Sequence, residues 1–202
     1  MVMRNRKIRI AVQNKGRLME PSLSYLRQCG LEFTPEGRNL IVECENYPIE
    51  ILFVRNSDIP QYIKYNVADF GIIGKNLLFE NNEKYEIIKP LNFGICSLVI
   101  AAPDNSKIAS LKDLEDERIA TSYPNTLRNI LKSRKINASI IEIQGSVEIC
   151  PALDLSDAIF DITQTGKTLE ENGLKIIENL FASQAVLIKN VNSNPQYEDL
   201  FL

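Results

Sequence analysis

No histidine occurs anywhere in the 202 residues. That absence removes Ser-His-Asp and Cys-His nucleophilic catalysis together with every histidine-ligated metal centre. Cysteine is sparse: Cys29, Cys44, Cys96 and Cys150 are scattered and form no C-x-x-C pair. This argues against a zinc site or a disulfide framework and for reduced, packed thiols. No apolar run approaches membrane-spanning length, and the start, MVMRNRKIRIAVQ, has basic residues but no continuous apolar stretch before Gln13. Neither a membrane span nor an export signal is expected, so the protein reads as cytoplasmic. Charge of one sign is also lacking, because 23 basic against 26 acidic residues leave a net −3 and no general pull towards nucleic acid or an anionic membrane. Any anion site must be local, and chemistry falls to carboxylates, cations, backbone dipoles and metal that arrives on a substrate.

What is present is ordinary globular composition, 45% hydrophobic and 24% charged, enough for one large domain or two small ones. The chain is organised around LDLSDAIFDITQTGKTLEENGL, from Leu153 to Leu174. Its apolar run with an acid at each end, Asp157 to Asp161, reads as a strand leading through a tight loop into a helix. Thr168 and Glu171 stand at capping-box spacing. The loop between is suited to phosphate. Gly166 lets the backbone fold close to an anion, Thr165 and Thr168 add hydroxyls, Lys167 adds charge, and the helix start presents unpaired N–H groups. Carboxylates at the strand would repel phosphate but accept hydrogen bonds from vicinal ribose hydroxyls, which together suggests a 5-phosphoribosyl group. Asp-X-Thr-Gly turns also serve merely as helix entries in α/β proteins, so residue chemistry alone carries the reading to a sugar phosphate or nucleotide.

The remainder alternates strands and helices. Strands are expected at Lys7 to Gln13, Ile49 to Val54, Val67 to Gly74, two within Tyr85 to Pro103, Arg118 to Thr121, Ala138 to Ile143, Leu174 to Phe181 and Ala185 to Lys189. Glu32 to Thr34 and Leu40 to Cys44 read as a hairpin around Pro35-Glu36-Gly37. Helices are expected over Leu18 to Cys29, Pro60 to Asn66, Lys75 to Asn81 and Pro124 to Arg134, and the ending NPQYEDLFL resembles a helix begun and cut short. Asn14-Lys15-Gly16-Arg17 and the Arg55 that follows a buried strand are further places for phosphate oxygens, at strand ends where open α/β sheets bind ligands. A solvated turn and a surface pair of Arg55 with Asp58 are the plain alternatives. The order of elements predicts a two-lobed periplasmic-binding-protein-like α/β fold with a central cleft, the first lobe formed by residues 1–94 plus 182–202 and the second by 95–181.

At IRIAVQNKGRL, IEILFVRNSDIP, VADFGIIGKNLL, RIATSYPNTL, GSVEICPALDLSDAIFDITQTGKTLEENGL and SQAVLI the chain resembles the catalytic core of the ATP phosphoribosyltransferase family. The resemblance covers nearly the whole chain. It implies a glycosyltransferase of histidine biosynthesis, in which adenine N1 of ATP displaces pyrophosphate from 5-phosphoribosyl 1-pyrophosphate with Mg²⁺ carried on the substrate phosphates. It implies that Asp157 and Asp161 border the ribose with Glu148 close by, and that Thr163, Gln164, Thr165, Gly166, Lys167 and Thr168 cradle the 5-phosphate. Lys15, Gly16, Arg17 and Arg55 are implied at the pyrophosphate and ATP phosphates, and no protein metal ligand is implied. Asn92 stands where many relatives carry an acid. Family members form homo-oligomers; short forms pair with a regulatory subunit resembling histidyl-tRNA synthetase, and long forms continue into a histidine-binding domain.

Two other readings compete. Phosphoribosyltransferases that make purine and pyrimidine nucleotides place two adjacent acids before such a loop, whereas Asp157 and Asp161 are four apart. A cytosolic two-lobed phosphometabolite-binding or sensing module would use the same loop without turnover.

Overall fold

The computed structural model describes residues 7–81, 84–192 and 195–202. The chain divides into two compact units, the first ending at Gly94 and resuming at Gln184, the second spanning Ile95–Ser183. The second crossing lies two residues later than the apolar pattern suggests, because the strand entering it continues to Ser183.

Unit 1 holds β1 (Ile8–Gln13), β2 (Ile41–Glu43), β3 (Ile49–Val54), β4 (Phe70–Gly74), β5 (Tyr85–Pro90) and β11 (Ala185–Asn190), in the sheet order β2-β3-β1-β4-β11-β5. β1 runs parallel to both β3 and β4. These strands are apolar on both sides because both sheet faces are covered. Ile10, Val12, Ile51, Phe53, Phe70 and Ile72 point into one core, which includes Leu23 and Leu26 of α1 (Met19–Gln28). Ala11, Leu52 and Ile73 point into the other, with Ile59 and Ile63 of α2 (Ile59–Lys64). A short helix α3 (Asn76–Glu80) follows β4.

Two expectations fail in this unit. Residues 32–34 form no strand, since Phe33 is buried against the first core, and β2 pairs antiparallel with β3 instead. Residues 198–201 form a single 3-10 turn rather than a helix start. That turn is drawn inward: Phe201 is buried edge-on to Phe70 at 5.0 Å, and the buried Lys189 ammonium bonds both Glu198 carboxylate oxygens at 2.9 and 2.6 Å.

Unit 2 holds β6 (Cys96–Pro103), β7 (Arg118–Thr121), β8 (Ser139–Glu142), β9 (Ala158–Thr163) and β10 (Leu174–Ser183), in the order β10-β6-β9-β7-β8. β9 is central, parallel to β7 and antiparallel to β6. Helix α4 (Pro124–Arg134) follows β7, and α5 (Lys167–Glu171) follows β9. Ile159 of β9 packs among Val99, Ala101, Ala120, Val147, Cys150 and Leu169. All four cysteines are free thiols, two of them buried.

Candidate active site

Side chains alternate across a strand, so Asp157, Ile159, Asp161 and Thr163 share one side of β9. That side is the one on which Ile159 meets Val147 and Leu169. Val147 belongs to a 3-10 turn, Val147–Ile149, and with it comes Glu148, whose charge acts on Asp161. Burial pushes the Asp161 carboxyl up to about 6, and Glu148 adds to the rise while the Ile162 N–H, donating to Asp161 Oδ1 at 2.7 Å, opposes it. A carboxyl balanced in this way loses its proton near neutral pH and then holds a buried negative charge beside a second acid. Such a charge favours hydroxyl donors or a developing positive centre.

Asp157 does not join them. It precedes the first residue of β9, and four residues of strand rise place it roughly 13 Å from Asp161 at the other edge of the sheet. There it forms a fork with Arg118, Nη2 to Oδ1 at 2.8 Å and Nε to Oδ2 at 2.9 Å, and also accepts the Arg118 backbone N–H at 2.9 Å. The guanidinium holds its carboxyl below the usual carboxylate range. The structure does not bring Asp157, expected at the ribose, together with Asp161: its carboxylate pairs with Arg118 and ties β7 to β9.

The loop after β9 differs in detail from its expected form. The strand runs on to Thr163, and the helix begins at Lys167 with Gly166 as N-cap at φ +83°. Thr168 is thus inside α5, and the capping box with Glu171 does not form; Glu171 instead lies 3.7 Å from Lys167 Nζ. Hydroxyls order the turn from within. Thr163 Oγ1 accepts from Gly166 N–H at 2.9 Å, and Thr165 Oγ1 accepts from Lys167 N–H at 3.3 Å. Each hydroxyl keeps its own O–H to donate. The Thr168 and Leu169 N–H groups, second and third of the helix, have no acceptor within it. Gln164 reaches back to the Ile95 carbonyl at 3.5 Å. Unit 2 accordingly brings Glu148, Asp161 and residues 163–168 to the carboxyl edge of β9.

In unit 1 the expected residues also share one sheet edge. β3, β1 and β4 are adjacent and parallel, and their carboxyl ends carry Arg55, Lys15 with Gly16 and Arg17, and Lys75. Lys15 and Arg55 are exposed and have no ion-pair partner among the described residues; the anticipated Arg55–Asp58 pair is absent, and Asp58 accepts from Ser57 Oγ instead. Arg17 Nη1 donates to the Gly94 carbonyl at 3.2 Å. Lys75 stands at the same edge, its Nζ 6.0 Å from the Phe79 ring centroid, and was not singled out from the sequence. Its signal was available, a buried strand followed by Gly-Lys in FGIIGKN, the same grammar as AVQNKGR.

Comparison with known proteins identifies the family. The sequence profile of the family described as ATP phosphoribosyltransferase (HisG) matches residues 55–200. An ATP phosphoribosyltransferase of Bacteroides thetaiotaomicron is 44% identical over 96% of the chain and 68% of that protein. One from Cytophaga hutchinsonii is 44% identical over 89% of the chain and 63% of that protein. The chain spans about two thirds of the length of these curated relatives. Among solved structures, the ATP phosphoribosyl transferase (HisG:HisZ) complex from Thermotoga maritima superposes with a TM-score of 0.79 at 33% identity, covering 91% of this chain and 87% of that one. A histidine kinase sensor domain similar to periplasmic binding proteins superposes at 0.63 with 14% identity, which shows the shared fold alone.

Proposed function

The chain belongs to the ATP phosphoribosyltransferase family, and from that premise we propose how its residues carry out phosphoribosyl transfer from 5-phosphoribosyl 1-pyrophosphate to N1 of ATP. The observation that carries the reading is the pairing, at one sheet edge, of a buried carboxyl near its ionisation point with a turn whose hydroxyls and helix-start amides converge. Asp161, with Glu148 beside it, accepts the ribose hydroxyls and offsets the positive charge that grows on C1 as the bond to pyrophosphate lengthens. Thr163, Thr165, Lys167, Thr168 and the first amides of α5 take the 5-phosphate. Gly166 supplies the left-handed turn, which leaves no Cβ in the way. Lys15, Arg17, Arg55 and Lys75 neutralise pyrophosphate and the ATP phosphates. The residues perform orientation and charge stabilisation, without a covalent intermediate.

Magnesium enters this reading as part of the substrate, chelated by the pyrophosphate. Asp161 and Glu148 offer two carboxylates, and no cluster of three acidic or thiol side chains suited to a metal occurs among the described residues. A cytoplasmic location and a regulatory partner of the HisZ kind complete the proposal; among the described residues no helix is long and apolar enough to cross a membrane. The binding-module alternative draws on fold likeness at 14% identity and has no feature of the site to favour it.

The test is formation of phosphoribosyl-ATP, followed by absorbance, from purified chain with ATP, 5-phosphoribosyl 1-pyrophosphate and Mg²⁺, repeated with histidine. Product is expected. Failure to turn over alone and with a HisZ-type subunit, together with no calorimetric binding of 5-phosphoribosyl 1-pyrophosphate, would overturn the assignment.

A further inference from the structure

The Asn14–Arg17 turn of unit 1 is held by a residue that lies outside it. Gln13 is the last residue of β1, and its side chain folds forward under the turn. Gln13 Oε1 accepts the backbone N–H of Leu18, the N-cap of α1, at 3.1 Å. On its other side the same carboxamide presses on Gly16. A Cβ built on Gly16 would stand 2.8 Å from Gln13 Nε2 and 3.4 Å from its amide carbon, and the backbone there has φ +102°. The space that a side chain at position 16 would need is filled by Gln13. The turn then closes with Met19 N–H on the Gly16 carbonyl at 3.1 Å, and α1 is pinned behind it by Ser22 Oγ on the Leu18 carbonyl at 2.6 Å.

We propose that Gln13 is a positioning residue for anion binding, a neutral prop that fixes the Lys15-Gly16-Arg17 turn in its receiving shape without placing charge beneath it. The inference rests on the reading of this turn as a pyrophosphate or ATP-phosphate site. The choice of an amide follows from two demands on one side chain. Holding the Leu18 N–H needs an acceptor, which Asp or Glu would supply with added benefit near a helix N-terminus. An anion arriving at Lys15 and Arg17 needs that acceptor to carry no charge, because a carboxylate under the turn would repel it. Glutamine is long enough to reach both Leu18 and Gly16 and meets both demands.

The experiment separates shape from charge. Gln13→Glu keeps an acceptor for Leu18, so its thermal midpoint should equal or exceed that of the parent chain. Its affinity for inorganic pyrophosphate, measured by calorimetry, should fall on the order of tenfold, the factor that 1.4 kcal/mol represents. In turnover the loss should appear in kcat/KM for 5-phosphoribosyl 1-pyrophosphate, since a charge beneath the turn opposes the leaving pyrophosphate at least as much as the bound one. Gln13→Ala should lower both midpoint and affinity. Combined with Gly16→Ala it should add little, because the alanine methyl already displaces the carboxamide.

Lys15→Ala serves as the control on the underlying reading. If Lys15→Ala weakens pyrophosphate binding and Gln13→Glu does not, Gln13 is structural only and the inference fails while the turn remains an anion site. If neither changes binding, the anion reading of the turn fails with it. Loss of stability in Gln13→Glu would also overturn the inference, since an acceptor retained for the Leu18 N–H should retain that bond.

Discussion

Asp157 and Asp161 are the same residue type on one side of one strand, yet their surroundings give them opposite chemistry. At the amino edge of β9, Asp157 is saturated by the Arg118 fork and held below the usual carboxylate range. At the carboxyl edge, Asp161 is pushed up to about 6 by burial, with the charge of Glu148 adding to the rise. The difference teaches that one strand can hold a paired carboxylate at one end and a desolvated one at the other. One end uses a carboxylate to join β7 to β9; the other keeps one in an environment costly to its charge, a pattern associated with catalytic groups.

The comparison breaks most visibly at Asp161. Asp161→Asn should cut phosphoribosyl transfer by ~10²-fold or more, the scale for loss of one charge-stabilising group. Stability should move the other way. A folded-state value of about 6 lies above the unfolded value of about 3.9, so the stabilising protonated form is fully present below pH ~3.9 and its advantage is lost as pH rises through ~6. At pH 8 the asparagine variant should therefore be more stable than the parent, by on the order of 1–2 kcal/mol, with the gap closing towards pH 4. Parent turnover should rise with pH through about 6 as Asp161 ionises. Chemical denaturation at the two pH values and a pH–rate profile check both signs; an asparagine variant of full activity would remove Asp161 from the site.

A smaller effect is expected at Gly166. A Cβ there would meet only Ile176 Cδ1, at 3.8 Å, so space is available and the obstacle is φ +83°. Gly166→Ala should cost about 1–2 kcal/mol of stability and raise KM for 5-phosphoribosyl 1-pyrophosphate several-fold, leaving KM for ATP near its parent value. Steady-state kinetics with each substrate varied in turn distinguishes this from general misfolding. The smallest effect on activity belongs to Asp157. Asp157→Ala should lower stability by about 1 kcal/mol, the range for a partly exposed charge-assisted bond, and leave turnover within about twofold. Here the sign is reversed: the folded value is depressed, so the stabilisation is present above the unfolded value near pH ~3.9 and is lost as pH falls through the lower folded one. Turnover that collapsed in this variant would return Asp157 to the ribose.

The two strand-to-helix turns sharpen the same lesson about legibility. Strand, glycine, cation and helix start stood in plain order at Gln13 to Leu18 and at Ile162 to Leu169, because glycine punctuation and apolar periodicity are local properties. Their internal wiring was not legible. The capping box expected at Thr168 and Glu171 gave way to a helix begun two residues earlier, with Thr163 and Thr165 satisfying the amides of Gly166 and Lys167. Unit 1 solved the same problem with one longer side chain, Gln13, which sequence reading passed over as the end of a strand.

Periodicity and composition by themselves determined the α/β character, the run of strands, the absence of histidine chemistry and the strand–turn–helix around Gly166. The family likeness was carried by a continuous block from Gly145 to Leu174, also a local feature. Only the tertiary structure decided the surroundings of each acid, since a period of two puts Asp157 and Asp161 on the same side of β9 while saying nothing of what packs at either end. That choice depended on Arg118, 39 residues away in sequence from Asp157, and on a 3-10 turn that brought Glu148 to Asp161. Such partners are set by the folding of the chain back on itself, where burial and long-range pairing, not spacing, fix the charge a carboxyl can hold.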